Sequence, residues 1–114
     1  MQRSEVWLVN LEPTIGAEIR KTRPAVIVSK DGVGVLALKV IVPITDWKED
    51  FALRVWMVRL EPNAENGLTK LSAADAFQVR SVSQRRFVRQ LGILSETEIE
   101  EITNALALVL NITL

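Results

Sequence analysis

The chain has 114 residues, 48% of them hydrophobic and 25% charged, with 14 cationic and 14 acidic side chains. That length suits one domain, 1–114, with a core that needs no covalent staples. It contains no cysteine and no histidine, which excludes disulfides, thiolate metal sites and the usual near-neutral acid/base group, so carboxylates, arginines, lysines or hydroxyls must carry any chemistry.

The N-terminus has no apolar signal core, and no apolar run approaches the roughly 18 residues of a membrane span. The expectation is a cytoplasmic protein with no membrane association. A neutral total still permits a basic face, because Arg20, Lys21 and Arg23 cluster in one place and Arg80, Arg85, Arg86 and Arg89 in another.

In chain order, Glu5 to Leu11 reads as a first strand, β-branched and aromatic, stopped by Glu12-Pro13. Thr14 to Thr22 is a connection much longer than a tight hairpin needs, and such loops often carry function. Pro24 to Ser29 is a second strand whose run Ala25 to Val28 predicts burial. Lys30 to Gly34 is a turn marked by Asp31-Gly32. Val35 to Ile44 is a third strand, apolar enough to be covered on both faces. Phe51 to Leu60 is expected as a fourth. Glu61 to Gly67 is polar loop. Ser72 to Val79 fits strand or helix, Ser83 to Phe87 one helical turn, and Val88 to Leu94 a last strand. Ser95-Glu96-Thr97-Glu98 is a capping box, and Ile99, Ile102, Leu106, Val109 and Leu110 follow at helical spacing. The sum is a mainly β chain with a C-terminal helix, expected as a small antiparallel barrel.

Arg23 stands immediately before Pro24, which biases it to extended backbone, so its guanidinium leaves from a fixed strand start. With Arg20 and Lys21 it forms a candidate phosphate site; the alternative is a solvated surface arginine. Thr45 closes the third strand, where its hydroxyl either donates to a phosphoryl oxygen or bonds its own turn. Glu18 either pairs with Arg20, Lys21 or Arg23 or orients one of them. Asp75, in an apolar stretch, is either solvent-facing or buried and paired. Trp7, Trp56 and Phe77 are base-stacking candidates or core, and the later arginines a solvated face or a nucleic-acid groove.

The segments Glu5-Val-Trp-Leu-Val-Asn-Leu-Glu-Pro-Thr-Ile-Gly-Ala-Glu18, Lys21-Thr-Arg-Pro-Ala-Val-Ile-Val-Ser29, Val42-Pro-Ile-Thr45, Phe77-Gln-Val-Arg80 and Arg89-Gln-Leu-Gly92 resemble the MazF/PemK family of toxin endoribonucleases across essentially the whole chain. The resemblance implies an SH3-like barrel and a homodimer whose groove takes single-stranded RNA. It implies cleavage with no metal or other cofactor, and a cognate antitoxin that occupies the groove. It makes Arg23 and Thr45 catalytic, and places Thr14, Gly16, Glu18, Arg20, Lys21, Gln78 and Arg80 along the RNA. Some relatives carry an acidic residue before the Gln, others a histidine in the first loop; here those positions are Phe77 and Ala17, which accept no proton. Glu18, Asp75 or water are then the candidates for acid/base work. The competing reading is a non-catalytic barrel that binds RNA or poisons a protein such as DNA gyrase.

Overall fold

The computed structural model describes residues 1–34 and 36–113. Among the described residues there are seven strands: β1 (Glu5–Asn10), β2 (Thr22–Ile27), β3 (Leu38–Asp46), β4 (Met57–Leu60), β5 (Ser72–Asp75), β6 (Arg80–Ser83) and β7 (Phe87–Ile93). One helix, α1 (Glu96–Val109), closes the chain. All pairings are antiparallel, in the order β4-β5-β3-β2-β1-β7, with β6 added to β3.

The sheet has to curl. Ser83 of β6 pairs with Leu38 and Phe87 of β7 pairs with Val9, at opposite margins of β3-β2-β1. Laid flat, those margins would lie about 19 Å apart, four strand spacings of about 4.8 Å. Four residues reach at most about 14 Å, and here they form a tighter 3-10 turn, Gln84–Arg86. Among the described residues no ladder joins β6 to β7, so the small antiparallel barrel expected is present in a half-open form.

Both faces of β1–β3 are covered, as the apolar runs predict. Val9, Leu11, Ala25, Ile27, Ile41 and Val82 pack inside the curl, with Trp7, Ile19 and Phe87 at its rim. Val6, Val26, Val42 and Ile44 point the other way, onto β4, β5 and α1, where they meet Val58, Leu60, Ile99 and Ile102. Ile102 is fully buried, and truncating such a side chain typically costs about 2–5 kcal/mol. The predicted capping box is present: Ser95 Oγ accepts from Glu98 N–H at 3.1 Å, and Ser95 N–H donates to the Glu98 carboxylate at 2.8 Å.

Three expectations change. The Phe51–Leu60 stretch is a strand only from Met57; its first part is a 3-10 turn, Glu49–Leu53, whose Phe51 is buried against Trp47. Ser72–Val79 is both strand and turn: β5 gives way to a 3-10 turn, Ala76–Gln78. β6 was not foreseen. The start expected for the third strand, Val35, lies outside the described residues, and the ladder begins at Leu38.

Candidate active site

Arg23 and Thr45 are brought together by main-chain register. Arg23 pairs with Val9 of β1, which places its side chain on the face of Val9 and Ala25. The β2–β3 ladder sets Ala25 against Pro43. The ladder ends at that pair, and Arg23 and Thr45 each stand two residues beyond it, so both belong to the face of Ala25 and Pro43 at the mouth of the curl. Arg23 Nε donates to the Arg20 carbonyl at 3.3 Å, and its two terminal nitrogens have no partner among the described residues. Thr45 is half-buried and its hydroxyl likewise has no partner among the described residues, so it is not occupied in bonding its own turn.

Beside this pair opens a cleft of about 380 Å³, lined by Glu18, Ile19, Pro43, Phe77, Gln78 and Arg80 among others. Its outer wall is the loop from Leu11 to Lys21, which side chains hold in place. Gln78 clasps it as one peptide clasps another: its amide oxygen accepts Ile19 N–H at 2.6 Å and its amide nitrogen donates to the Ala17 carbonyl at 3.2 Å. From the other end Glu12 accepts Lys21 N–H at 2.8 Å and lies 3.7 Å from Arg20 Nε. The Lys21 N–H, helped by Arg20 and Thr14, holds the Glu12 carboxyl below the usual carboxylate range. Arg80 Nη1 donates to the Leu11 carbonyl at 3.3 Å, and Arg86 Nη1 to the carbonyls of Asn10 and Glu12. Two arginines therefore brace the chain as it leaves β1.

The predicted residues fall into three groups. Arg23 and Thr45 share one face; Glu18, Gln78 and Arg80 line the cleft; Thr14 and Gly16 belong to the loop, Thr14 half-buried with its hydroxyl 3.5 Å from the Glu12 carboxylate and Gly16 at φ +60° with open space around it. Among the described residues Glu18 pairs with no cation. Its carboxylate accepts Ile15 N–H at 2.6 Å, and the carboxylate beside Arg20 is that of Glu12. Lys21 takes a left-handed backbone, φ 69°, that aims its N–H at Glu12. Asp75 is buried and caps the Ala76–Gln78 turn, accepting Phe77 N–H at 3.1 Å; among the described residues no cation lies within ion-pair distance. Burial pushes its carboxyl up, against the Phe77 and Gln78 N–H groups and, more weakly, Arg54. Trp7 is packed edge-on against Phe87, and Trp56 against the exposed Phe77. The residues missed by sequence reasoning are Glu12 and Arg86. Glu12 reads locally as a strand stop, and the only signal of its role is a carboxylate facing two cations across a long loop.

A small curled β-sheet thus carries a guanidinium and a hydroxyl on one face at its mouth, beside a cleft walled by a braced loop. The chain belongs to the family of PemK-like, MazF-like toxins of type II toxin–antitoxin systems, whose model matches residues 2–110. It is 32% identical over 119 residues to the endoribonuclease MazF9 of Mycobacterium tuberculosis, with 98% of each chain covered. Among solved structures it resembles MazF from Deinococcus radiodurans, with a TM-score of 0.79, 23% identity, and 97% and 96% of the two chains covered. It also resembles a mycobacterial endoribonuclease in complex with its cognate antitoxin, with a TM-score of 0.77, 20% identity, and 100% and 98% covered. Among the described residues no helix is long and apolar enough to cross a membrane.

Proposed function

We propose that this chain is the endoribonuclease toxin of a type II toxin–antitoxin pair, and that Arg23 and Thr45 act on the scissile phosphodiester of single-stranded RNA. RNA carries its own nucleophile. The ribose 2′-oxygen loses its proton and bonds to phosphorus, the bond from phosphorus to the 5′-oxygen breaks, and that oxygen gains a proton. The products are a 2′,3′-cyclic phosphate and a 5′-hydroxyl. Charge gathers on the non-bridging oxygens in between, and there the terminal nitrogens of Arg23 and the Thr45 hydroxyl would donate. A single such donor typically contributes about 3 kcal/mol to lowering the barrier. An arginine stays protonated, so Arg23 stabilises charge or supplies a proton and does not act as base.

Of the two carboxylates considered for the base, Glu18 is the better placed. It is exposed and lines the cleft, whereas Asp75 is buried and engaged as a turn cap. The step as written takes its charge stabilisation from Arg23 and Thr45 and invokes no metal. Glu18, Gln78 and Arg80 would meet the RNA in the cleft, and Thr14, Gly16, Arg20 and Lys21 along the loop. The chain would work as one cytoplasmic domain, in a homodimer to which exposed Leu53 and Val55 contribute apolar surface. A cognate antitoxin would silence it, as one is bound in the mycobacterial complex.

The observation that supports this reading is the strand register that puts Arg23 and Thr45 on one face, each two residues beyond the Ala25–Pro43 pair. The test is cleavage of varied single-stranded RNAs in EDTA by the wild type and by Arg23→Ala. The expected result is cleavage by the first and a loss of about a hundredfold or more in the second, with an unchanged melting temperature. Intact RNA at high wild-type concentration, or an Arg23→Ala protein that cuts as well, overturns it. Growth arrest that survives Arg23→Ala points instead to a protein target.

A further inference from the structure

The face that carries Arg23 and Thr45 continues past the cleft, and on it lies an aromatic–cation pair that the mechanism does not use. Thr45 pairs with Ala73, and Ala73 with Arg59, so Thr45 and Arg59 stand in one row, two strand spacings or roughly 10 Å apart. Val58 and Leu60 face the helix-side core, which turns Arg59 to the Thr45 face. Trp47 N–H donates to the Leu71 carbonyl at 3.0 Å, extending the β3–β5 spacing one residue past β3. Trp47 therefore lies two residues beyond Thr45 on the same face. The Arg59 guanidinium sits over the Trp47 ring, 5.8 Å from its centroid, while Phe51 holds that ring edge-on at 5.9 Å. Between Thr45 and Arg59 the row contains only Ala73, which is fully buried beneath its neighbours.

Arg59 is mobile in its choice of partner. Its only carboxylate among the described residues is Glu61 at 3.5 Å, and the two side chains are 54% and 74% exposed. An ion pair that exposed is weak and exchanges readily for a phosphate or a base. A planar guanidinium backed by an indole, next to a phosphate site, is a surface on which a nucleobase stacks regardless of its identity.

We propose that Trp47 and Arg59 form a stacking platform for a base of single-stranded RNA adjoining the phosphodiester held by Arg23 and Thr45; this rests on the ribonuclease reading above. The platform adds affinity without reading sequence, and it positions the strand across the mouth of the curl.

The test is a double-mutant cycle between protein and RNA. The probe is a single-stranded oligonucleotide spanning a cleavage site, made uncuttable by 2′-deoxyribose at the scissile position, together with versions abasic at each flanking position. Arg59→Ala is expected to weaken binding of the intact probe about tenfold. It is expected to change nothing for the version abasic at the stacked position, because the contact is already gone. Trp47→Leu should reproduce this; if its loss of Phe51 packing unfolds the chain, the exposed Arg59 still gives the answer. Equal losses on intact and abasic probes mean a charge effect only and overturn the platform, as does no loss at all. The all-ribose parent separates the two readings. Cleavage by wild type without an Arg59 effect sinks the platform alone, and a full cycle without cleavage sinks the nuclease and keeps the platform.

Discussion

Arg23 and Thr45 stand on strands whose relative position is dictated by main-chain ladders, whereas the Leu11–Lys21 loop beside them is placed by side chains. The two regions meet at one cleft, yet they fail in different ways. A ladder is cooperative and indifferent to any single side chain, so substituting a residue on it changes chemistry and leaves geometry. The loop depends on a few polar contacts, each worth about 1 kcal/mol net, so substituting one of those changes geometry and touches chemistry only indirectly. On the proposed reading, the arrangement keeps the reacting groups rigid and leaves the wall of the cleft able to adapt.

The sharpest way to test that division is Thr45→Val, which keeps shape and removes only the hydroxyl. Because that hydroxyl has no partner among the described residues, stability should hardly change. The expected effect is on kcat, a loss of about a hundredfold, with KM nearly constant. Combined with Arg23→Ala the loss should be less than the product of the two, since both groups serve one transition state. Single-turnover cleavage measures it. A fall in melting temperature with kcat intact would mean that Thr45 belongs to the scaffold.

Gln78→Ala probes the other region and should act on binding. It removes both bonds to the loop, at Ile19 N–H and the Ala17 carbonyl. The Ile19 amide should then exchange with solvent roughly ten times faster, for a local loss of about 1–2 kcal/mol. KM should rise several-fold while kcat changes little. Gln78→Glu keeps the acceptor and loses the donor, so it should fall between. Equal exchange rates in all three proteins would show that the loop stands without its clasp.

This division also marks what can be read from the chain. The strands of the ladder half are legible because Ala25–Val28 and Val40–Ile44 are apolar runs too dense for solvent, and α1 because its cap and its periodicity agree. Their register is not legible, since it depends on pairing between segments about twenty residues apart; the partnership of Arg23 and Thr45 was expected from family resemblance, and the ladders add that the two share a face. β6 escaped because Arg80-Ser-Val-Ser83 carries a single buried apolar residue, Val82, and exists as a strand by virtue of its partner. The Phe51–Leu60 stretch misled because buried Phe51 reads like a strand residue although it is packed from a turn. The loop half was the least legible. The Gln78 clasp joins residues 59 positions apart, and nothing local distinguishes an amide aimed at RNA from one aimed at its own chain.

The smallest expected effects separate two carboxylates by the sign of their pH dependence. Glu12 is held below the usual carboxylate range, chiefly by the Lys21 N–H. Its ionised form therefore supports the fold above the ordinary glutamate pKa, and that support is lost as pH falls through the lowered value. Asp75 is raised by burial, so its ionised form opposes the fold at neutral pH. That opposition fades as pH falls through the raised value, and below the ordinary aspartate pKa none is left. Glu12→Gln should then melt slightly below wild type at pH 7, with the gap closing toward acid. Asp75→Asn keeps a carbonyl acceptor for Phe77 N–H and should melt at or above wild type at pH 7, with that gap also closing toward acid but from the opposite side. Thermal melts of the three proteins across pH 3–8 give both curves. If Asp75→Asn is instead less stable at neutral pH and loses Ile19 amide protection, the Asp75 charge itself holds the Ala76–Gln78 turn. The loop would then hang on a buried carboxylate as well as on its own surface contacts.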